Sequence, residues 1–207
     1  MYRLTLATLS LFAACSSAPP TLNDLDYPGT LQPPATLPVE VVWQQQVTAS
    51  WRQGDDGEVQ ERSFTAAVQR QGDKLTVLGL SPLGEVGFSI EQAPAGIDVQ
   101  NHMPEQLRIP PRFILLDVQR AFYPWLPAGA GDEGTVDGEA IHELRRDGHL
   151  VQRRFRRLDG APKGEIVVDY EWGHDDWVGP TRVVIDNGWF GYRLTVDTHT
   201  ETLLAGG

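Results

Sequence analysis

Val39-Glu40-Val41-Val42-Trp43-Gln44-Gln45-Gln46-Val47-Thr48-Ala49-Ser50-Trp51, residues 39–51, decides the fold. Val39, Val41, Trp43, Gln45, Val47, Ala49 and Trp51 alternate with Glu40, Val42, Gln44, Gln46, Thr48 and Ser50. A period of two with one mostly apolar side is the mark of a long strand. Downstream, Gly54-Asp55-Asp56-Gly57 reads as a turn. A second strand follows, with Phe64, Ala66 and Val68 on one face. Gln71-Gly72-Asp73 turns the chain into a third strand, Lys74–Leu80. A fourth covers 85–91, with Val86, Phe88 and Ile90 on one face, and a short fifth covers 97–100.

One helix comes next. Pro110 and Pro111 suit its first turn. Ile114, Leu115, Val118, Ala121, Phe122 and Trp125 form one stripe at helical spacing. Asp117 and Arg120 are set to pair on the other side, and Pro124 and Pro127 stop the helix. After a long loop over 129–138, strands return at 140–146, 150–158, 165–172, 180–186 and 190–198. Their turns are Asp147-Gly148, Asp159-Gly160 and Asn187-Gly188, the strongest short hairpin signal. The expected fold is mainly β: nine or ten antiparallel strands and one central helix. A sheet this large must curl, and the helix is the object for its concave face to wrap, as an incomplete barrel.

Upstream, residues 16–38 carry Pro19, Pro20, Pro28, Pro33, Pro34 and Pro38 among Ser, Thr and Gly. Such a segment cannot bury enough apolar area to fold alone and reads as a tether. Before it, Arg3 precedes a short apolar run ending in Ala13-Ala14, and then Cys15. That is a secretory signal pattern, too short for a bilayer span of about 20 residues. The expected division is a signal peptide at 1–14, an anchored cysteine and tether at 15–38, and a single β-rich domain at 39–207.

Composition narrows the classes. The 207-residue chain is 41% hydrophobic, enough for one domain with a core. Its net charge of −11 argues against nucleic acid as a partner. A mean hydropathy of −0.29 excludes a polytopic helical membrane protein. The single cysteine can form neither an internal disulfide nor a cysteine metal site.

Motifs for chemistry are sparse. No pair among the five histidines has HExxH-like spacing, and no G-x-S-x-G or phosphate loop occurs. His174-Asp175-Asp176 could supply metal ligands or be an acidic loop. We expect no metal, no cofactor and no enzyme, although a catalytic constellation need not be local in sequence. Arg145, Arg146, Arg153, Arg154, Arg156 and Arg157 cluster in an acidic chain. On a strand, Arg153 and Arg157 share one face with Val151 and Phe155, while Arg154 and Arg156 share the other. Arginine on both faces suggests an edge or exposed strand. Arg153, Arg154, Arg156 and Arg157 read either as an anion or partner patch or as a solvated strand. Trp43, Trp51, Phe64, Phe88, Phe113, Ile114, Val118, Phe122 and Trp125 read either as packed core or as the lining of an apolar cavity.

Three resemblances bear on these readings. Leu11-Phe12-Ala13-Ala14-Cys15 resembles the bacterial lipobox, which implies lipid on Cys15, and Ser16 after it implies the outer membrane. Residues 75–90, containing Ser81-Pro82-Leu83-Gly84, resemble the LolB outer-membrane lipoprotein receptors, as does Val118-Gln119-Arg120-Ala121-Phe122-Tyr123-Pro124-Trp125-Leu126-Pro127. The tail Asn187-Gly188-Trp189-Phe190-Gly191-Tyr192-Arg193-Leu194 resembles an uncharacterised lipoprotein family of aryl-polyene biosynthesis clusters. Leu115-Leu116-Asp117-Val118-Gln119 fits that family too. The resemblance implies the LolA/LolB fold, an incomplete barrel around a helical plug with a cavity for acyl chains. It also implies a membrane-contact loop at Pro82, Leu83 and Gly84.

The expected protein is a lipid-anchored monomer at the periplasmic face of the outer membrane. It would bind a hydrophobic or acylated cargo (lipoprotein acyl chains or an aryl-polyene lipid) and assist its transport or insertion, with a periplasmic carrier protein as a further partner. The alternative is an adaptor lipoprotein of a synthesis or export complex, with no ligand cavity.

Overall fold

The structure, a computed structural model, describes residues 27–52, 57–81, 83–102, 109–127, 129, 131–173 and 176–204. The strands are β1 (Val41–Arg52), β2 (Val59–Gln71), β3 (Lys74–Leu80), β4 (Val86–Ala93), β5 (Gly96–Asn101), β6 (Glu133–Val136), β7 (Glu139–Arg146), β8 (His149–Arg157), β9 (Ile166–Glu171), β10 (Arg182–Asn187) and β11 (Tyr192–Leu203). They form one 11-stranded sheet in the order β5-β4-β3-β2-β1-β11-β10-β9-β8-β7-β6. All pairings are antiparallel, and the sheet is not closed.

This order explains where the helix lies. The chain meanders outward from β1 to one edge, β5, and resumes at the other edge, β6. The connection between the edges must therefore cross the sheet, and α1 (Pro111–Phe122) is the helix within it. A flat sheet of eleven strands would span about 48 Å, far wider than a helix about 10 Å across. Yet Phe88 and Ile90 of β4 cluster with Leu115, while Ile141 of β7 clusters with Phe113 and Leu116. Strands on opposite sides of β1 reach one helix because the sheet curls around it. Alternation selects the concave face: Val41, Trp43, Gln45 and Val47 of β1 are buried, and so are Ala66, Val68 and Arg70 of β2.

The eleventh strand, β6, lies inside the expected 129–138 loop. Its hairpin turn, Asp137-Gly138, has φ of 51° and 75°, the paired positive values of a two-residue hairpin. Asp147-Gly148, with φ of 52° and 85°, joins β7 to β8 in the same way. Asp159-Gly160 instead begins a longer connection to β9. The Gly54–Asp56 part of the first expected turn lies outside the described residues.

The expected tether is docked over its last part. Tyr27 is 0% exposed, and a single 3-10 turn covers Pro34–Thr36. From Tyr27 onward this segment is a strap laid along the helix. Gln119 clasps the Gln32 backbone from both sides, accepting its N–H at 2.8 Å and donating to its carbonyl at 2.9 Å. The Gln92 amide donates to the same carbonyl at 2.8 Å, and Arg120 donates to the Pro28 carbonyl at 2.8 Å. Arg112 donates to the carbonyls of Tyr27 and Gly29. A strap of prolines offers few N–H groups, so it is held mainly by donors reaching its carbonyls.

That strap buries a second side of the helix, the one expected to face solvent. Asp117 and Arg120 do not pair in solvent: they are 6% and 0% exposed. Of the expected stripe, Leu115, Ala121 and Trp125 are buried, while Ile114, Val118 and Phe122 are only half-buried. The arginine-rich strand is also corrected. β8 lies between β7 and β9 and is no edge, and Arg153 is 3% exposed on its inner face.

Candidate functional site

The site forms where the helix stops. Pro124 ends α1, and Tyr123 leaves it in extended conformation, its N–H still donating to the Gln119 carbonyl at 2.9 Å. Helix carbonyls left open at this end need donors. Arg153 supplies them: its Nη1 donates to the carbonyls of Arg120 at 2.8 Å and Tyr123 at 3.0 Å. The cation also complements the negative end of the helix dipole. Its Nε donates to Glu143 Oε1 at 2.8 Å, and the other Glu143 oxygen accepts from Arg145 Nη2 at 2.6 Å. Burial pushes the nearby Tyr170 hydroxyl up to about 12. It stays a neutral donor, aimed at the Arg120 carbonyl at 3.3 Å.

Three walls rise around this capped end. Trp43 of β1 stacks on Phe122, with centroids 4.7 Å apart. Its indole N–H donates to Glu201 at 2.8 Å, and Glu201 also accepts the N–H groups of Val178 and Gly179. A Cβ on Gly179 would sit 3.0 Å from Trp43 Nε1, so a glycine lets this wall close on the indole. The β7–β8 hairpin brings Arg145 and His149, with His149 4.8 Å from the Trp172 ring. Trp172 is fixed by its N–H on the Leu150 carbonyl at 2.8 Å. Between the walls lies a cleft of about 280 Å³, open to solvent. Among its described lining residues the charged side chains are Arg145 and Arg153 alone, with no carboxylate.

A second polar group sits under the strap. The Asp117 carboxylate accepts from the hydroxyls of Tyr27 and Tyr192, the latter at 2.6 Å, and Asn187 donates to the Tyr27 oxygen at 2.9 Å. Burial pushes the Asp117 carboxyl up to about 6, against the pull of its two hydroxyl donors and Arg120. An unfolded Asp titrates near ~3.9, so between about pH 4 and 6 the native state holds a proton that the unfolded state has released. The stability contributed by that proton is full below about pH 4 and lost as pH rises through 6, on the order of 3 kcal/mol. Asp117→Asn is expected to flatten this decline, read as the wild-type-minus-variant difference in urea midpoints between pH 4 and 7. Parallel curves for the two proteins would exclude it.

The other expected site residues divide. Cys15 and Pro82 lie outside the described residues. Leu83 is 87% exposed at the tip between β3 and β4. The Ser81 hydroxyl pins that tip, accepting the N–H groups of Leu83 at 3.3 Å and Glu85 at 3.2 Å, and Gly84 turns it with φ of 82°. Of the nine cavity candidates, Trp43 and Phe122 line the cleft. Phe64, Phe88, Ile114 and Val118 pack in the same cluster as Trp43. Phe113 and Trp125 belong to a second cluster, with Trp125 against Phe155 at 5.1 Å, and Trp51 is half-buried on β1.

The four arginines of the expected patch are divided between the two faces of β8. Arg153 is internal. Arg154 and Arg156 point outward, Arg154 3.5 Å from Glu165, and Arg157 pairs with Asp159 at 2.7 Å. His174 and Asp175 lie outside the described residues. Among the described residues no group of three or more His, Cys, Asp or Glu side chains is placed to hold a metal ion.

Sequence reasoning missed Arg145, His149 and Trp172 as cleft residues, and Tyr27, Glu139 and Glu143 as buried groups. One local signal existed for two of them. Glu139, Ile141 and Glu143 alternate on one face, and an isoleucine between two glutamates on a face points to carboxylates turned inward. The cleft had no such signal, because its walls come from distant parts of the chain.

A family model described as "Protein of unknown function (DUF3261)" matches residues 42–200. No curated protein matches. Among solved structures, the chain is similar to a LolA superfamily protein from Nitrosomonas europaea, with 16% identity and a TM-score of 0.42, over 79% of this chain and 86% of that one. An outer membrane lipoprotein-sorting protein domain from Vibrio parahaemolyticus gives 10% identity and a TM-score of 0.41, over 80% and 86%. A DUF1329 family protein from Desulfovibrio piger gives 14% and 0.40, over 83% and 89%. TM-scores this low say nothing of function.

Proposed function

The chain belongs to the DUF3261 family of proteins of unknown function, and we propose that it binds a hydrophobic or acylated cargo in the cleft at the end of α1. The supporting observation is the cleft itself: about 280 Å³ between Trp43, Phe122 and Trp172, held by fixed side chains. That is just below the roughly 300–1,000 Å³ of sites for drug-sized ligands. It suits one acyl chain or one aromatic end and not a bundle of chains. Burial of chain would drive binding, at roughly 25 cal/mol per Å².

In this reading a lipid on Cys15 anchors the protein at the periplasmic face of the outer membrane. Leu83 would touch the bilayer. The cargo would be a lipoprotein acyl chain or an aryl-polyene lipid, passed on or inserted nearby without covalent chemistry.

Native mass spectrometry after mild purification, together with uptake of a fluorescent fatty acid, tests the proposal. Wild type is expected to take up the probe. Val178→Trp, which places an indole at the cleft wall, is expected to weaken uptake at least about tenfold. Delipidated wild type that never takes up the probe would leave the adaptor alternative. Its partner surface would then be the outward Arg154 and Arg156.

A further inference from the structure

Apolar walls alone do not select a cargo, but the charges at this cleft do. We propose that its ligand is a single-chain carboxylate amphiphile, with the chain between Trp43, Phe122 and Trp172 and the carboxylate on Arg145 beside His149. This rests on the cargo reading above and adds the head group to it.

Three observations carry the assignment. First, Arg145 is at the mouth of the cleft, its side chain 50% exposed. Among the described residues its recorded bond is from Nη2 to Glu143, which leaves part of its fork for an incoming carboxylate. Glu143 in turn holds the arginine in place.

Second, the two carboxylates bonded to lining residues are already engaged. Glu143 is bound by Arg145 and Arg153, and Glu201 by the Trp43 indole and the N–H groups of Val178 and Gly179. An anion entering meets the cations first. The opposite sign of amphiphile would lie against two arginines, with no carboxylate in the described lining to meet it.

Third, size limits the tail. At about 30 Å³ for each small group, 280 Å³ holds roughly ten methylene-sized units. One medium chain fits, and its polar end comes out at the rim where Arg145 and His149 stand.

The test uses the full chain and three probes of one tail length: dodecanoate, dodecanol and dodecyltrimethylammonium. Binding is read from tryptophan emission, since Trp43 and Trp172 line the cleft. Dodecanoate is expected to bind about tenfold more tightly than dodecanol, the range of one charge-assisted hydrogen bond at a partly exposed site. The cationic probe is expected to bind most weakly. Arg145→Gln should bring dodecanoate and dodecanol within about twofold of each other, and Arg145→Lys should restore part of the preference.

Equal binding of dodecanoate and dodecanol to wild type overturns the head-group assignment and leaves the cleft as an apolar site. A preference that survives Arg145→Gln overturns it too, by placing the anion elsewhere. Failure of all three probes overturns the cargo reading and this inference together.

Discussion

Glu139→Ala is expected to cost about 3–5 kcal/mol, because it leaves a buried cation without its counter-ion. Arg120 and Glu139 are each 0% exposed. Arg120 Nη2 lies 3.0 and 3.2 Å from the two Glu139 oxygens and also donates to the Pro28 carbonyl. The guanidinium carbon stands 4.5 Å from the Tyr27 ring centroid, 5.1 Å from Trp189 and 5.3 Å from Phe155. Among the described residues its Nε and Nη1 have no hydrogen-bond partner. Aromatic faces attract a cation but do not neutralise it, so among the described residues Glu139 is the one formal counter-charge bonded to it. Replacing both residues by methionine is expected to cost less than Glu139→Ala alone, since no charge then remains to be buried. Guanidinium chloride unfolding of wild type, both single variants and the pair measures the cycle. A cost under about 1 kcal/mol for Glu139→Ala would mean that water reaches Arg120, and the account would fail.

Phe113→Ala is expected to cost a similar amount, about 3–5 kcal/mol, by lost burial and the void left behind. Phe113 is 0% exposed in the first turn of α1. Its ring meets Tyr27 edge-on at 4.6 Å and Phe190 at 5.3 Å. It therefore joins three parts of the chain: the helix, the strap and the turn between β10 and β11. Phe113→Leu, which keeps most of the volume, should cost under about 1.5 kcal/mol. A second readout separates the strap from the core. With the Tyr27 contact gone, limited proteolysis should cut within 27–38 sooner in Phe113→Ala than in wild type. Unchanged protection would show that the polar clasps on Gln32 and Pro28 hold the strap without the aromatic contact.

Local patterns carried much of the architecture. Alternation at 39–51 places Val41, Trp43 and Val47 inward, because a strand with one buried face has no other register. β3 has the expected bounds, Lys74–Leu80, and proline at both ends limits α1 closely. β6 was legible in principle: Asp137-Gly138 is the same signal as Asp147-Gly148, but its strand has only four residues, Glu133–Val136. For Arg153 the residue type misled. An arginine on an apolar face is ordinarily a solvated one, and nothing beside it in sequence announces helix carbonyls awaiting a donor.

The sequence by itself determined a β-rich domain, the place of its helix and most of its turns, since these rest on neighbours one to four residues apart. Tertiary structure alone decided that the helix is buried on a second side, because the strap from Tyr27 to Pro38 covers the side that carries Asp117 and Arg120. It alone placed Arg153 under the helix end and brought Arg145, His149 and Trp172 to face Trp43 and Phe122. Those meetings join segments that are tens to more than a hundred residues apart, and a hydrophobic period records that a face is covered without recording what covers it.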